Sequence, residues 1–292
     1  MQNAGTGVTK HGARLPRRSE GYKESRYMDN PHAPLYTEAP SEKGLVIFIH
    51  GFMGSPRHFD DLSEYISGQG YSAASLLLPG HGDSLKNFSS GTRAQWQGHV
   101  DAEVERLSRE HKSIWLAGHS MGGLLALNTA VRFSDNIRGV FVIASPFKLA
   151  IVSAKASLTR VKMIFYRKNH PVKAAYTSHS GIKASPALLW RIAGPAVELK
   201  KLMRATSDIL KDIHVPVTAV YSLSDELTSF ASLEILKSGL HGTHFEQLVL
   251  SDALHDYIPE HEQAMVKQAM INMLRQPEGS GAASQQCSMY NV

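Results

Sequence analysis

The sequence is almost without cysteine: Cys287 is the single one in 292 residues. One cysteine cannot form an intrachain disulfide, so the expected setting is a reducing, cytoplasmic one. Long apolar runs are missing too. The longest, such as residues 45 to 49 (LVIFI), are strand-sized and far short of the roughly 18 residues that a membrane-spanning helix needs, which excludes a helical transmembrane protein. The first forty residues carry six Lys or Arg but no apolar stretch fit for a signal-peptide core. What remains is ordinary: 42% hydrophobic and 20% charged residues, enough to bury a core in one large domain or two small ones, which excludes disorder as the main state.

Acidic residues are scarce in one place. The whole chain has 31 Lys and Arg against 26 Asp and Glu, a net charge of +5. Between Lys148 and Lys211, however, thirteen basic residues face only Glu198 and Asp208, a local charge of +11, which leaves about −6 for the rest. Two readings stand side by side for this stretch: a solvated face that offsets the remaining charge, or a surface for anionic lipid or an anionic substrate. No motif for RNA or DNA recognition accompanies the charge, so no nucleic-acid partner is expected.

Runs rich in β-formers at 45 to 49, 71 to 78, 113 to 117, 139 to 144, 216 to 222 and 245 to 250 are bounded by Gly, Pro, Asp and Ser and read as strands. Helical periodicity fills 56 to 67, 93 to 109, 122 to 133, 229 to 238 and 260 to 275. Alternating strands and helices predict an α/β fold, a mostly parallel sheet covered on both faces. Almost seventy residues separate the strands ending near Ser145 and beginning after Ile213, far more than a crossover requires. The expected organisation is therefore an N-terminal extension over 1–40, partly irregular, a core over 41–145 and 212–276, an inserted basic helical cap over 146–211, and a polar flexible tail over 277–292.

Gly118-His119-Ser120-Met121-Gly122 follows the strand SIWLA and opens the helix GLLALNTAVRF. The five letters alone are a weak signal. A strand before and a helix after turn them into a strained elbow that lifts the Ser120 hydroxyl clear of the sheet, with small residues letting the two elements approach. A serine nucleophile needs a base, and acyl transfer needs N–H donors where the oxyanion forms. His50-Gly51-Phe52-Met53-Gly54 follows the first strand of the core, and its glycines would bring the Phe52 backbone N–H near the serine. The backbone N–H of Met121, at the head of the helix, would be the second donor.

Position selects the base from fifteen histidines. His255 follows the last strand, in the sequence SDALHD, and side chains at the carboxyl ends of parallel strands converge on one crevice. Asp225, in Ser224-Asp225-Glu226 after the strand PVTAVYS, is the candidate acid, while Glu226, Asp252 and Asp256 are rivals that spacing does not exclude. The chain order Ser120, Asp225, His255 is that of the hydrolase elbow arrangement.

With these motifs, and Pro79-Gly80-His81-Gly82-Asp83-Ser84 after the next strand, residues 43 to 275 resemble the α/β-hydrolases, closest to bacterial carboxylesterases and monoacylglycerol-lipase-like serine hydrolases. The resemblance implies hydrolysis of acyl esters, monoacylglycerols among them, through an acyl-enzyme, with no metal or organic cofactor and a cap that shapes the acyl pocket. His50, His119 and Trp190 are candidates for lining that pocket; for Trp190, packing between cap and core is the competing role. Thioesterase, peptidase and C–C hydrolase chemistries use a similar triad, and the same fold can serve as a non-catalytic small-molecule receptor. No His-x-x-x-His pair with a third ligand suggests a metal. The oligomeric state is left open.

Overall fold

The computed structural model describes residues 32–39, 43–82, 84–150, 170–181 and 188–276. The tail with Cys287, most of the N-terminal extension, and residues 151–169 and 182–187 of the basic stretch lie outside the described residues.

The strands are β1 (Leu35–Thr37), β2 (Leu45–Ile49), β3 (Ser72–Leu76), β4 (Ile114–His119), β5 (Ile137–Ile143), β6 (Val217–Ser222) and β7 (Phe245–Leu250). The helices are α1 (Asp60–Gly68), α2 (Leu85–Ser89), α3 (Arg93–Leu107), α4 (Met121–Arg132), α5 (Pro171–His179), α6 (Leu188–Arg191), α7 (Ala193–Ile209), α8 (Ala231–Gly239) and α9 (Glu260–Leu274), with 3-10 turns at Pro56–Phe59 and Leu210–Asp212. The sheet order is β1-β3-β2-β4-β5-β6-β7, parallel throughout except for β1, which runs antiparallel to β3. This is an α/β-hydrolase sheet.

Period-2 alternation sorts the apolar residues into two cores. Leu45, Ile47 and Ile49 of β2, Ile114 and Leu116 of β4, and Val140 and Val142 of β5 pack on the face covered by α3, α4, α7 and α8. Val46, Phe48, Trp115, Ala117, Phe141 and Ile143 point the other way, onto Leu62 and Ile66 of α1 and Val266, Met270 and Met273 of α9. With both faces covered, the strands read as continuous apolar runs, as parallel strands do. Each fully buried Ile, Leu or Phe contributes about 1.5–3 kcal/mol, so these two layers dominate the stability.

Two features differ from the sequence expectation. β1 falls inside the stretch read as an extension, yet Leu35, Tyr36 and Thr37 pair with Ser75, Ala74 and Ala73; a three-residue edge strand is too short to show a period. α7 falls inside the stretch read as a cap, yet it packs against α3 and α4, with Leu202 buried in the first core and Asn128 Nδ2 donating to Thr206 Oγ1 at 2.6 Å. Its helical pattern is a core-facing stripe, and its exposed side carries Val197, Lys200, Lys201 and Arg204. Among the described residues, no helix is long and apolar enough to cross a membrane.

The chain runs outward from β2 to β3 and then restarts on the other side with β4, so the strand order reverses between β2 and β4. Loops diverge at such a switch point and leave a crevice at the carboxyl edge. The loop after β2 and the turn after β4 face each other across it.

Candidate active site

Ser120 occupies the turn between β4 and α4 at φ 53° and ψ −119°, a strained conformation for a residue with a side chain. Backbone bonds on both sides hold it: its N–H donates to Ile143 O at 2.8 Å and its carbonyl accepts from Gly123 N–H at 3.1 Å. The flanking glycines are a steric necessity. A Cβ on Gly118 would lie 2.4 Å from the Gly122 carbonyl, one on Gly122 would lie 1.9 Å from Ile49 O, and one on Gly123 would lie 1.8 Å from Ser145 Oγ. The loop after β2 passes as closely, since a Cβ on Gly51 would stand 3.0 Å from Ser120 Cβ. The next residue is Phe52, whose ring packs edge-on against Phe88 and Trp96. Met121 opens α4, where the first N–H groups have no carbonyl four residues back to bond.

His255 and Asp225 arrive from the ends of β7 and β6. His255 Nε2 lies 3.0 Å from Ser120 Oγ, and its Nδ1 lies 2.9 and 3.2 Å from the two oxygens of Asp225. A carboxylate at Nδ1 keeps a ring proton there, and the neutral ring then offers Nε2 to the serine hydroxyl. Asp225 is itself fixed, accepting from Leu227 N–H at 2.8 Å and Thr228 N–H at 2.7 Å. The structure thus brings Ser120, Asp225 and His255 together. The three rival acids stand elsewhere: Glu226 accepts the backbone N–H of His255, Asp252 pairs with His261, and Asp256 lies beside His58.

Electrostatics single out one imidazole. Burial holds His50, His58 and His119 well below the ordinary histidine value, and neighbouring histidines push the same way, His81 on His50, His119 on His58 and His255 on His119. Burial alone brings His81 down to about 4. Burial also opposes the charged form of His255, but Asp225, and then Asp256 and Glu226, outweigh it and raise His255 to about 9. Asp256, buried beside other carboxylates, rises to about 6.

The expected pocket residues are placed differently. His50 is fully buried, its Nε2 accepting from Leu78 N–H at 3.1 Å and its Nδ1 2.9 Å from Gly51 O, so it braces the loop after β2. His119 is also buried, with Nε2 2.8 Å from the His255 carbonyl oxygen and its ring stacked 3.9 Å from that of His58. Among the described residues Trp190 stands 87% exposed, away from the buried core. A cavity of about 360 Å³ does reach His255 and Asp225, from the side of α1 and α9, between Ile143, Val220, Leu250, Val266, His58 and His179. Contacts that sequence reasoning missed come from His58, His179 and Tyr176; a single aromatic residue on a short helix carries no local signal of what it meets.

His58, His119 and Asp256 place ligand atoms within 4.8 Å of one another. The two rings are stacked at an interplanar angle of 25°, so their in-plane lone pairs run side by side instead of converging on an ion. That arrangement does not suit a metal centre. In the other such group, Asp252, His261 and Glu262, Asp252 and His261 are exposed and pair with each other at 3.3 Å, while Glu262 Oε1 accepts the N–H groups of Ser251 and Asp252.

The family model of the Hydrolase_4 proteins, described as serine aminopeptidase, S33, matches residues 40–262. The chain belongs to this family. Like other members it is a serine-hydrolase-type α/β-hydrolase, and several of the proteins it resembles along most of its length are lipases and esterases. The thermostable monoacylglycerol lipase of Bacillus sp. (strain H-257) is 23% identical over 235 residues, 80% of this chain and 91% of that protein. Among solved structures, a metagenome-derived lipolytic enzyme superposes with a TM-score of 0.67 at 21% identity, covering 84% of this chain and 98% of its own. A soluble variant of the monoglyceride lipase of Saccharomyces cerevisiae gives 0.62 at 15% identity over 86% and 92%. At these identities the structural likeness concerns the fold.

Proposed function

We propose that this protein hydrolyses carboxylic esters of fatty acyl groups, monoacylglycerols among them, through a Ser-His-Asp triad and an acyl-enzyme. The observation that carries the reading is the continuous chain of contacts from Asp225 through His255 to the hydroxyl of Ser120, at the head of α4. Ser120 Oγ attacks the ester carbonyl while His255 Nε2 takes its proton. The oxyanion is met by the backbone N–H groups of Phe52 and Met121, and His255 returns the proton to the departing alcohol. Water then attacks the acyl-enzyme by the same route. None of these steps calls for a cofactor.

The names of the relatives support a lipid ester as substrate, and the family description keeps an amide in view. A chain-length series of p-nitrophenyl and monoacylglycerol esters, run beside a thioester and an aminoacyl anilide, tests the choice. Medium or long acyl esters are expected to be turned over fastest, and Ser120→Ala to remove about 10⁶-fold of kcat while the protein still melts cooperatively. Ordinary turnover by pure Ser120→Ala protein would overturn the proposal.

The reading extends to a cytoplasmic protein that meets anionic membranes through its basic stretch. Exposed Trp190 and Val197 beside Arg191, Lys200 and Arg204 form a surface of the right chemistry. Co-sedimentation with anionic and neutral vesicles is expected to differ at low salt and to converge as salt rises.

A further inference from the structure

Two carboxylates follow one another after β6, and only one faces the ring of His255. Glu226, 1% exposed, turns to the backbone instead: Oε2 accepts the His255 N–H at 3.1 Å and Oε1 accepts the hydroxyl of Tyr176. A carboxylate withdrawn from water is costly unless its lone pairs are met, and these two donors meet them. Tyr176 belongs to α5, fifty residues earlier in the chain, and its hydroxyl also lies 3.4 Å from the backbone N of Asp256. The segment is pinned at its far end as well. Gly181 N–H donates to Met53 O at 2.8 Å, and a Cβ on Gly181 would stand 2.4 Å from the carbonyl oxygen of Gly54. One short element therefore touches the His255 loop at one end and the Phe52 loop at the other.

We propose that Glu226 is a positioning residue that fixes the backbone of His255, and that Tyr176 makes this hold depend on α5 being seated. The proposal rests on the triad reading above. Asp225 orients the ring and has its own supports, the N–H groups of Leu227 and Thr228. The ring reaches Ser120 only if the backbone that carries it stays in place, and an error of about 1 Å at a reacting group costs about 100-fold in rate. When α5 lifts, Glu226 loses one of its two donors and its grip on His255 loosens. The base is thus fully placed when the helix is down.

The test uses the full chain and a short p-nitrophenyl ester, with Glu226→Ala, Glu226→Gln, Tyr176→Phe and the double variant Tyr176→Phe/Glu226→Ala, each checked for a cooperative melt. Glu226→Ala is expected to lower kcat by about 10- to 100-fold with KM within about twofold of the parent. Glu226→Gln keeps an acceptor for the His255 N–H and is expected to restore most of that loss. Tyr176→Phe is expected to cost less than Glu226→Ala, and the double variant to be no slower than Glu226→Ala alone, because Tyr176 acts through Glu226. Unchanged kcat in folded Glu226→Ala, a glutamine no better than alanine, or two losses that multiply in the double variant would each overturn the proposal. Fluorophosphonate labelling of Ser120 in the parent protein separates the two readings: a parent that is not labelled there defeats the triad itself, whereas a labelled parent with a neutral Glu226→Ala defeats only the positioning role.

Discussion

Ser120 and His255 face each other across 3.0 Å, yet they are held by different means. The serine sits in a backbone trap: a positive φ, two main-chain hydrogen bonds, and three glycines whose absent side chains let β2, β4 and α4 approach. The histidine sits on a loop secured by side chains gathered from far apart, Asp225 on the ring and Glu226 on the backbone, with Tyr176 behind it. A trap built from local sterics is all-or-none, and a hold built from side-chain bonds can be tuned. Substitutions of the elbow glycines are therefore expected to break the fold, and substitutions around His255 to change the rate while the fold survives.

The largest contrast comes from the acid. Asp225→Asn leaves an oxygen for the Leu227 and Thr228 N–H groups but no longer fixes the tautomer, so kcat is expected to fall about 10⁴-fold with an ordinary melting curve. A loss below about tenfold would mean that something other than Asp225 orients His255. Next is the elbow. Gly122→Ala forces a methyl to 1.9 Å from Ile49 O and 2.7 Å from His50 O, both of them backbone atoms; a loss above about 4 kcal/mol in urea unfolding is expected. If this variant folds with normal stability, the steric account of the elbow is wrong.

A subtler test is pH. With His255 raised to about 9, its imidazolium is favoured at neutral pH and the free base gains ground only as pH climbs. The kcat/KM for a short ester is expected to rise with pH along a limb placed well above 6.5, and Asp225→Asn to move that limb downward. The sign for stability is opposite. A histidine whose folded value lies above its unfolded one adds stability that is fully present below 6.5 and is lost as pH rises through about 9. A rate profile flat from pH 6 to 9 would remove the carboxylate field as the influence on His255. The smallest effect belongs to Trp190. Being 87% exposed, its replacement by Ala is expected to leave stability within about 0.5 kcal/mol and short-ester turnover unchanged, with any loss confined to anionic vesicle binding.

The elbow was legible because its requirements are written in adjacent letters: a strand, Gly-x-Ser-x-Gly, a helix. Six strands and most core helices were legible for a similar reason, since β2 and β4 are short apolar runs closed by Gly or Ser, and α4 is an unbroken helix with a glycine pair in its first turn. β1 was missed because three residues carry no period. α7 was read as cap because it lies in the long interval between two strands, and nothing in its local pattern says that the stripe through Leu202 and Thr206 seats it on α4. The pocket assignments of His50 and His119 rested on closeness in sequence to the motifs, and that of Trp190 on its place in an apolar cluster of the expected cap; neither says which way a side chain turns.

The amino-acid sequence alone determined the order of elements, the parallel sheet, the strained serine and the edge at which Asp225 and His255 arrive, because each of these follows from spacing, from steric limits at glycine, or from the direction of parallel strands. Tertiary structure alone decided which of two neighbouring carboxylates faces the ring and which faces the backbone, which histidines brace the fold, and that Tyr176, fifty residues before Glu226, closes the contact behind His255. Those choices depend on where chain segments distant in sequence come to rest. No local pattern encodes the distance between them.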